Sequence, residues 1–109
     1  MKKILEKDIQ LCICDYFALK KYFFWRQNTI PAVDYKGGKM IFRPMPKYSL
    51  RGVPDIILID KGGKIIFIEV KRPGGKLSEA QIEFKKMCDK VGATYMVAYS
   101  LDDIIKAGL

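Results

Sequence analysis

The amino-acid sequence predicts an α/β sandwich in which helices flank a small mixed β-sheet, in the order helix, three strands, helix, strand, helix. Three observations point there. Apolar residues near the start recur at helical spacing. Two runs rich in Ile, Val and Phe, 53–60 and 64–71, are bridged by Lys-Gly-Gly. A capped helical stretch then separates those runs from another apolar run, "ATYMVAYS". Strands that alternate with helices in this way build a sheet covered by helices.

Residues 3–24 read as one long helix, because Ile9, Ile13, Tyr16, Phe17 and Lys20 fall on one side of a 3.6-residue repeat. Glu6 and Gln10 lie one turn apart near its start, in line with Ile13 and Phe17. From 27 to 50 the chain reads as irregular, with Pro31, Gly37, Gly38, Pro44 and Pro46 as breakers, apart from a short strand at 39–43. The two strands 53–60 and 64–71 follow as a hairpin. Pro73-Gly74-Gly75 ends the second, Ser78 opens a helix to about Val91, and Gly92 stops it. The last strand covers "ATYMVAYS", and Ser100 caps a short closing helix.

The whole chain of 109 residues, 1–109, is expected to form a single domain, being large enough for one hydrophobic core. Twenty Lys and Arg against twelve Asp and Glu give a formal charge of +8, which favours a polyanionic partner over a merely solvated surface. No run approaches the roughly 18 apolar residues of a membrane span. Glu6, Lys7 and Asp8 interrupt the start, so it lacks the apolar core of a signal peptide. A cytoplasmic protein without a membrane or small-molecule partner is expected. Cys12, Cys14 and Cys88 form no CxxC pair and are odd in number, so they read as buried thiols rather than as a disulfide framework. There is no histidine, which excludes His-ligated zinc, Ser-His-Asp triads and histidine-base nucleases. Chemistry must run on carboxylates and lysine.

Such groups stand where burial is expensive. The first apolar run begins near Asp55, and the second ends with Glu69 and Lys71. If Lys61-Gly62-Gly63 is a three-residue loop, opposed residues sum to 124 and Asp55 faces Glu69 across the hairpin. Opposed residues share a face. A two-residue loop would shift the register by one and send the two carboxylates to opposite faces. Face to face they repel, and a divalent cation bound by oxygen ligands, Mg2+ or Mn2+, resolves the conflict. Alternation puts Lys71 on the same face, where an ammonium can orient a water or neutralise a phosphate. Asp, Glu and Lys so placed make an apparatus for hydrolysing phosphodiesters.

Asp55, preceded by Pro54 and followed by Glu69-Val70-Lys71, resembles the PD-(D/E)xK nuclease signature. The fuller set resembles the VRR-NUC (virus-type replication-repair nuclease) family: Glu6 with Gln10, Arg26-Gln27-Asn28, Gly52-Val53-Pro54-Asp55, Glu69-Val70-Lys71, and Leu77-Ser78 with Gln81. The resemblance spans nearly the whole chain. It implies a restriction-endonuclease-like core and a metal-dependent DNA endonuclease in which Asp55, Glu69 and the Val70 carbonyl bind the metal and Glu6 supports it. It further implies that Gln81 acts with Lys71 near the attacked phosphate, and that the protein is a stand-alone, phage- or prophage-type member resolving branched DNA such as four-way junctions. Cutting paired strands with one site per chain favours a homodimer.

Each assignment has a plainer counterpart. Ser78-x-x-Gln81 is also a capping box, and Glu6 is also a favoured first-turn acid. Arg26, Asn28, Arg43, Lys47, Arg51, Arg72 and Lys76 are either scattered charge or phosphate contacts that position DNA. Phe23, Phe24 and Trp25 read as core rather than as a base-stacking platform. At the level of function the counterparts are a non-catalytic basic nucleic-acid-binding module, or a nuclease for flap or plain duplex DNA.

Overall fold

A computed structural model describes residues 3–27, 33–42 and 46–109. The elements run α1 (Glu6–Leu19), β1 (Phe23–Arg26), β2 (Val33–Lys36), β3 (Lys39–Phe42), β4 (Ile56–Ile59), β5 (Ile65–Val70), α2 (Glu79–Val91), β6 (Thr94–Ala98) and α3 (Leu101–Lys106). The sheet order is β1-β4-β5-β6, with β1, β4 and β5 antiparallel and β6 parallel to β5; β2 and β3 form a separate hairpin. The expected mixed sheet flanked by helices is therefore present, with two more strands than the sequence predicted.

Both additions have physical causes. The first helix ends at Leu19 rather than near residue 24, and Lys21 adopts a left-handed φ of 59° that breaks the repeat. The aromatic run beyond it then goes extended, as bulky aromatics favour, and pairs with β4 as the sheet edge. The expected strand at 39–43 exists as β3, but it pairs with β2 and not with the main sheet. Gly37 and Gly38, read as mere breakers, both take positive φ, as a two-residue hairpin turn demands.

The central hairpin has the three-residue loop. Asp60 N donates to the Lys64 carbonyl at 2.9 Å, and Gly63 takes a φ of +81° at the loop end. Asp60 Oδ1 accepts from the Gly62 and Lys64 amides, both at 2.9 Å, which holds the loop in shape. Paired residues sum to 124, from Ile59 with Ile65 to Ile56 with Ile68.

One face of the sheet buries Ile56, Leu58, Ile66, Ile68, Val70 and Ala98 against Ile9, Ile13 and Phe17 of α1 and Ile104 of α3. Each fully buried Ile or Phe contributes roughly 1.5–3 kcal/mol. On the other face α2 packs Phe84 edge-on against Phe67, ring centroids 5.1 Å apart. Helix α2 starts and stops where the sequence indicated, with a complete Ser78–Gln81 capping box and Gly92 left-handed at its end. Ser100 caps α3 through the Asp103 amide. Of the three thiols only Cys88 is buried; Cys12 is exposed and Cys14 half-buried, which corrects the expectation of buried cysteines. Among the described residues no helix is long and apolar enough to cross a membrane.

Candidate functional site: a carboxylate pair at the end of the central hairpin

The register that pairs Ile56 with Ile68 carries on past the end of β4 and brings Asp55 level with Glu69. Asp55 Oδ2 accepts from the Val70 amide at 2.9 Å, and the Asp55 carbonyl accepts from the Gln27 amide at 2.7 Å. The aspartate is thereby fixed from both sides by backbone. Glu69 is 2 % exposed, and its carboxyl lies close enough to that of Asp55 for the two to interact. Burial pushes the Glu69 carboxyl up to about 8; the Asp55 carboxylate beside it adds to the rise, Lys71 opposes it, and Glu6 adds slightly. Lys71 thus lies close enough to act on the pair, and it is half-buried.

Helix α2 delivers the fourth group. Gln81 Oε1 accepts from the Ser78 amide at 2.8 Å, and the Gln81 amide donates to Ser78 Oγ at 3.2 Å. The remaining end of the same side chain, Nε2, donates to Glu69 Oε1 at 2.9 Å. The capping box and the contact with the carboxylate pair are therefore one arrangement: the cap aims the amide nitrogen at Glu69. Gly52 explains how the preceding loop fits beside it. Its φ is +72°, and a Cβ there would stand 2.4 Å from the Ala80 carbonyl carbon and 2.7 Å from the Gln81 amide nitrogen. Only glycine lets the loop lie flat against the start of α2.

Glu69 Oε2 is buried and has no hydrogen-bond partner. A carboxylate oxygen stranded beside a second carboxylate is a site that a divalent cation would satisfy. Val70, whose amide already binds Asp55 Oδ2, adds a backbone carbonyl next in sequence to Glu69. Oxygen donors from Asp55, Glu69 and Val70 suit Mg2+ or Mn2+, which retain waters in their shell. Among the described residues no three His, Cys, Asp or Glu side chains converge, so Glu6, exposed on the first turn of α1, does not complete a carboxylate triad.

The remaining residues divide. Gln10 is buried in α1, and its Oε1 accepts from Arg26 Nε, tying β1 to the helix. Arg26, Lys47, Arg51, Arg72 and Lys76 are exposed. Arg51 adjoins Gly52, while Arg72 and Lys76 lie on the segment between Lys71 and the Ser78 cap. Asn28 and Arg43 lie outside the described residues. Of the three aromatics expected in the core only Phe24 packs there; Phe23 is 65 % and Trp25 40 % exposed. Tyr95 was not singled out by the sequence reading. Its hydroxyl is buried without a partner, and desolvation together with the Glu69 charge raises its pKa. In the sequence it looked like any other aromatic in an apolar strand.

The family model for the VRR-NUC domain matches residues 9–102. A solved structure described as a VRR_NUC domain matches with a TM-score of 0.64 at 24 % identity, covering 93 % of this chain and 90 % of that one, a likeness of fold. Comparison with curated proteins gives no match.

Proposed function

The chain belongs to the VRR-NUC domain family, nucleases of the PD-(D/E)xK type that act on DNA, and from that premise we propose that it is a Mg2+- or Mn2+-dependent endonuclease of branched DNA such as four-way junctions. One observation carries the proposal: a buried glutamate facing an aspartate, with one oxygen left unpartnered. Asp55 and Glu69 would hold the ion, with the Val70 carbonyl as third protein ligand and Glu6, too far to ligate with the pair, supporting it from α1 through water. A bound ion of this kind supplies Lewis acidity at the phosphate and acidifies a water. Gln81 holds the Glu69 carboxylate in one orientation through its 2.9 Å hydrogen bond. The Lys71 ammonium orients the attacking water and offsets charge building on the phosphate oxygens, so that phosphorus is attacked in line with the departing sugar oxygen.

In this reading residues 1–109 act as one intracellular nuclease domain. Arg26, Asn28, Lys47, Arg51, Arg72 and Lys76 contact phosphates and position the DNA without reading bases. The +8 charge of the chain supports a polyanionic substrate. Paired cuts in a symmetric junction need two sites, and so a two-fold dimer. The outer side of α1, where Leu11 is 53 % and Leu19 84 % exposed beside Asp8 and Asp15, is a mixed surface that could make that contact.

The experiment is a panel of end-labelled duplex, single strand, flap and four-way junction incubated with Mg2+ or Mn2+, comparing wild type with Glu69→Ala and Lys71→Ala. Cleavage of the junction above the other substrates by wild type alone, with junction binding retained in Lys71→Ala, is the expected result. Binding without cleavage under every metal condition would make the protein a non-catalytic module, and preferential cutting of flap or duplex would replace the junction as substrate.

A further inference from the structure

The run Phe23-Phe24-Trp25-Arg26 forms the edge strand β1. Strand alternation turns Phe24 into the core beside Phe17, with ring centroids 5.5 Å apart, and puts Phe23 and Trp25 together on the other face. Those two rings lie 5.9 Å apart, tilted by 47°, and remain 65 % and 40 % exposed. The Trp25 indole is anchored at its edge, Nε1 donating to Gln27 Oε1 at 3.2 Å. Two neighbouring large aromatics left in water on an edge strand call for an occupant.

Position and charge say which. Trp25 pairs with Ile57 and Ile57 with Phe67, so the indole shares its face with Asp55 and Glu69, two residues further along. Two residues along and one strand across is roughly 8 Å between backbone positions. Phe23, paired with Ile59, continues the row away from the carboxylates. Helix α2 covers the β5 and β6 part of this face through Phe84 against Phe67 and Tyr95 and does not reach the β1 end with that ring. A chain of +8 charge attracts a polyanion. Aromatic side chains within a basic surface bind single strands by stacking on the faces of bases, whatever their sequence.

We propose that Phe23 and Trp25 form a stacking platform for unpaired nucleobases, placed one to two nucleotides from the phosphate held at the Asp55–Glu69 pair. The proposal rests on the nuclease reading, and it deepens that reading by specifying that one or two bases next to the branch are unpaired when the strand enters the site.

Trp25 is the chain's one tryptophan, so its emission reports on the platform directly. The measurement uses the Glu69→Gln protein in buffer free of divalent ions. Its emission is followed while a dye-labelled oligothymidylate, the same backbone carrying abasic sugars, and a blunt duplex are added in turn. Binding is read separately from dye anisotropy. Oligothymidylate is expected to quench Trp25, and the abasic strand and duplex to bind without quenching it. Trp25→Ala is expected to weaken oligothymidylate binding roughly 5- to 150-fold and duplex binding less than twofold, and Trp25→Phe to restore most of the loss. Anisotropy showing oligothymidylate bound with unchanged emission overturns the platform and leaves the nuclease reading standing. Equal quenching by the abasic strand overturns it likewise. Quenching on concentrating the protein without DNA assigns the face to a second copy instead. Absence of binding to every nucleic acid removes both readings together.

Discussion

Replacing Glu69 by Gln in the metal-free protein isolates the energetic consequence of the buried pair. The folded carboxyl titrates near 8, against an ordinary value of 4.5, because it is buried and faces Asp55. A raised folded pKa means that the native state holds a proton which the unfolded chain releases. The stabilisation is fully present below pH 4.5 and is lost as pH rises through 8. Each tenfold gain in proton affinity on folding corresponds to about 1.4 kcal/mol. By pH 7 the wild type should therefore have lost about 3 kcal/mol through this group, and about 5 kcal/mol above pH 9. The glutamine side chain of the Glu69→Gln variant keeps an oxygen for the Gln81 amide and does not titrate, so its stability lacks this component. Urea denaturation of both proteins in EDTA from pH 4.5 to 9 measures the difference, since all other titrating groups are common to the two. Wild type falling behind the variant by that amount, and recovering when Mg2+ or Mn2+ is added at pH 7, is the expected outcome. Parallel profiles across the range would mean that Glu69 is neither crowded by Asp55 nor desolvated, and the case for an ion between them would fall.

Two further perturbations test how the pair is held. Gln81→Ala removes both the bond to Glu69 and half of the capping box, and should lower cleavage or metal affinity roughly 10- to 100-fold, with about 1 kcal/mol lost from thermal stability; unchanged activity at the lower stability would reduce Gln81 to a cap. Gly52→Ala and Gly63→Ala both place a side chain at positive φ, but only at Gly52 would the new Cβ meet backbone, at 2.4 Å. The first should cost about 1–3 kcal/mol beyond the second and depress cleavage; equal melting temperatures for the two variants would show that the loop does not press on α2.

The hairpin was legible because its determinants are local. Lys61-Gly62-Gly63 sets the loop length, the loop sets the register, and alternation then decides that Asp55, Glu69 and Lys71 share a face. The Ser78–Gln81 cap and the Gly92 stop were local for the same reason. Strand β1 was not legible, because a helical repeat running from Ile9 through Phe17 extends naturally into Lys20, and the left-handed turn at Lys21 has no sequence marker. The exposure of Phe23 and Trp25 follows from that strand and was equally hidden. Tyr95 owes its unpartnered hydroxyl to the crossover that lays β6 beside β5, a non-local pairing.

By itself, then, the sequence determined which residues oppose one another across the tight loop, and with that the kind of chemistry a histidine-free chain has available. The tertiary structure decided how deeply Glu69 is buried, that the Gln81 side chain reaches it, and that β1 carries two aromatics up to its edge. Those three depend on the packing of segments far apart in the chain. Burial and close approach are sums over such packing, which the order of residues along one strand does not contain.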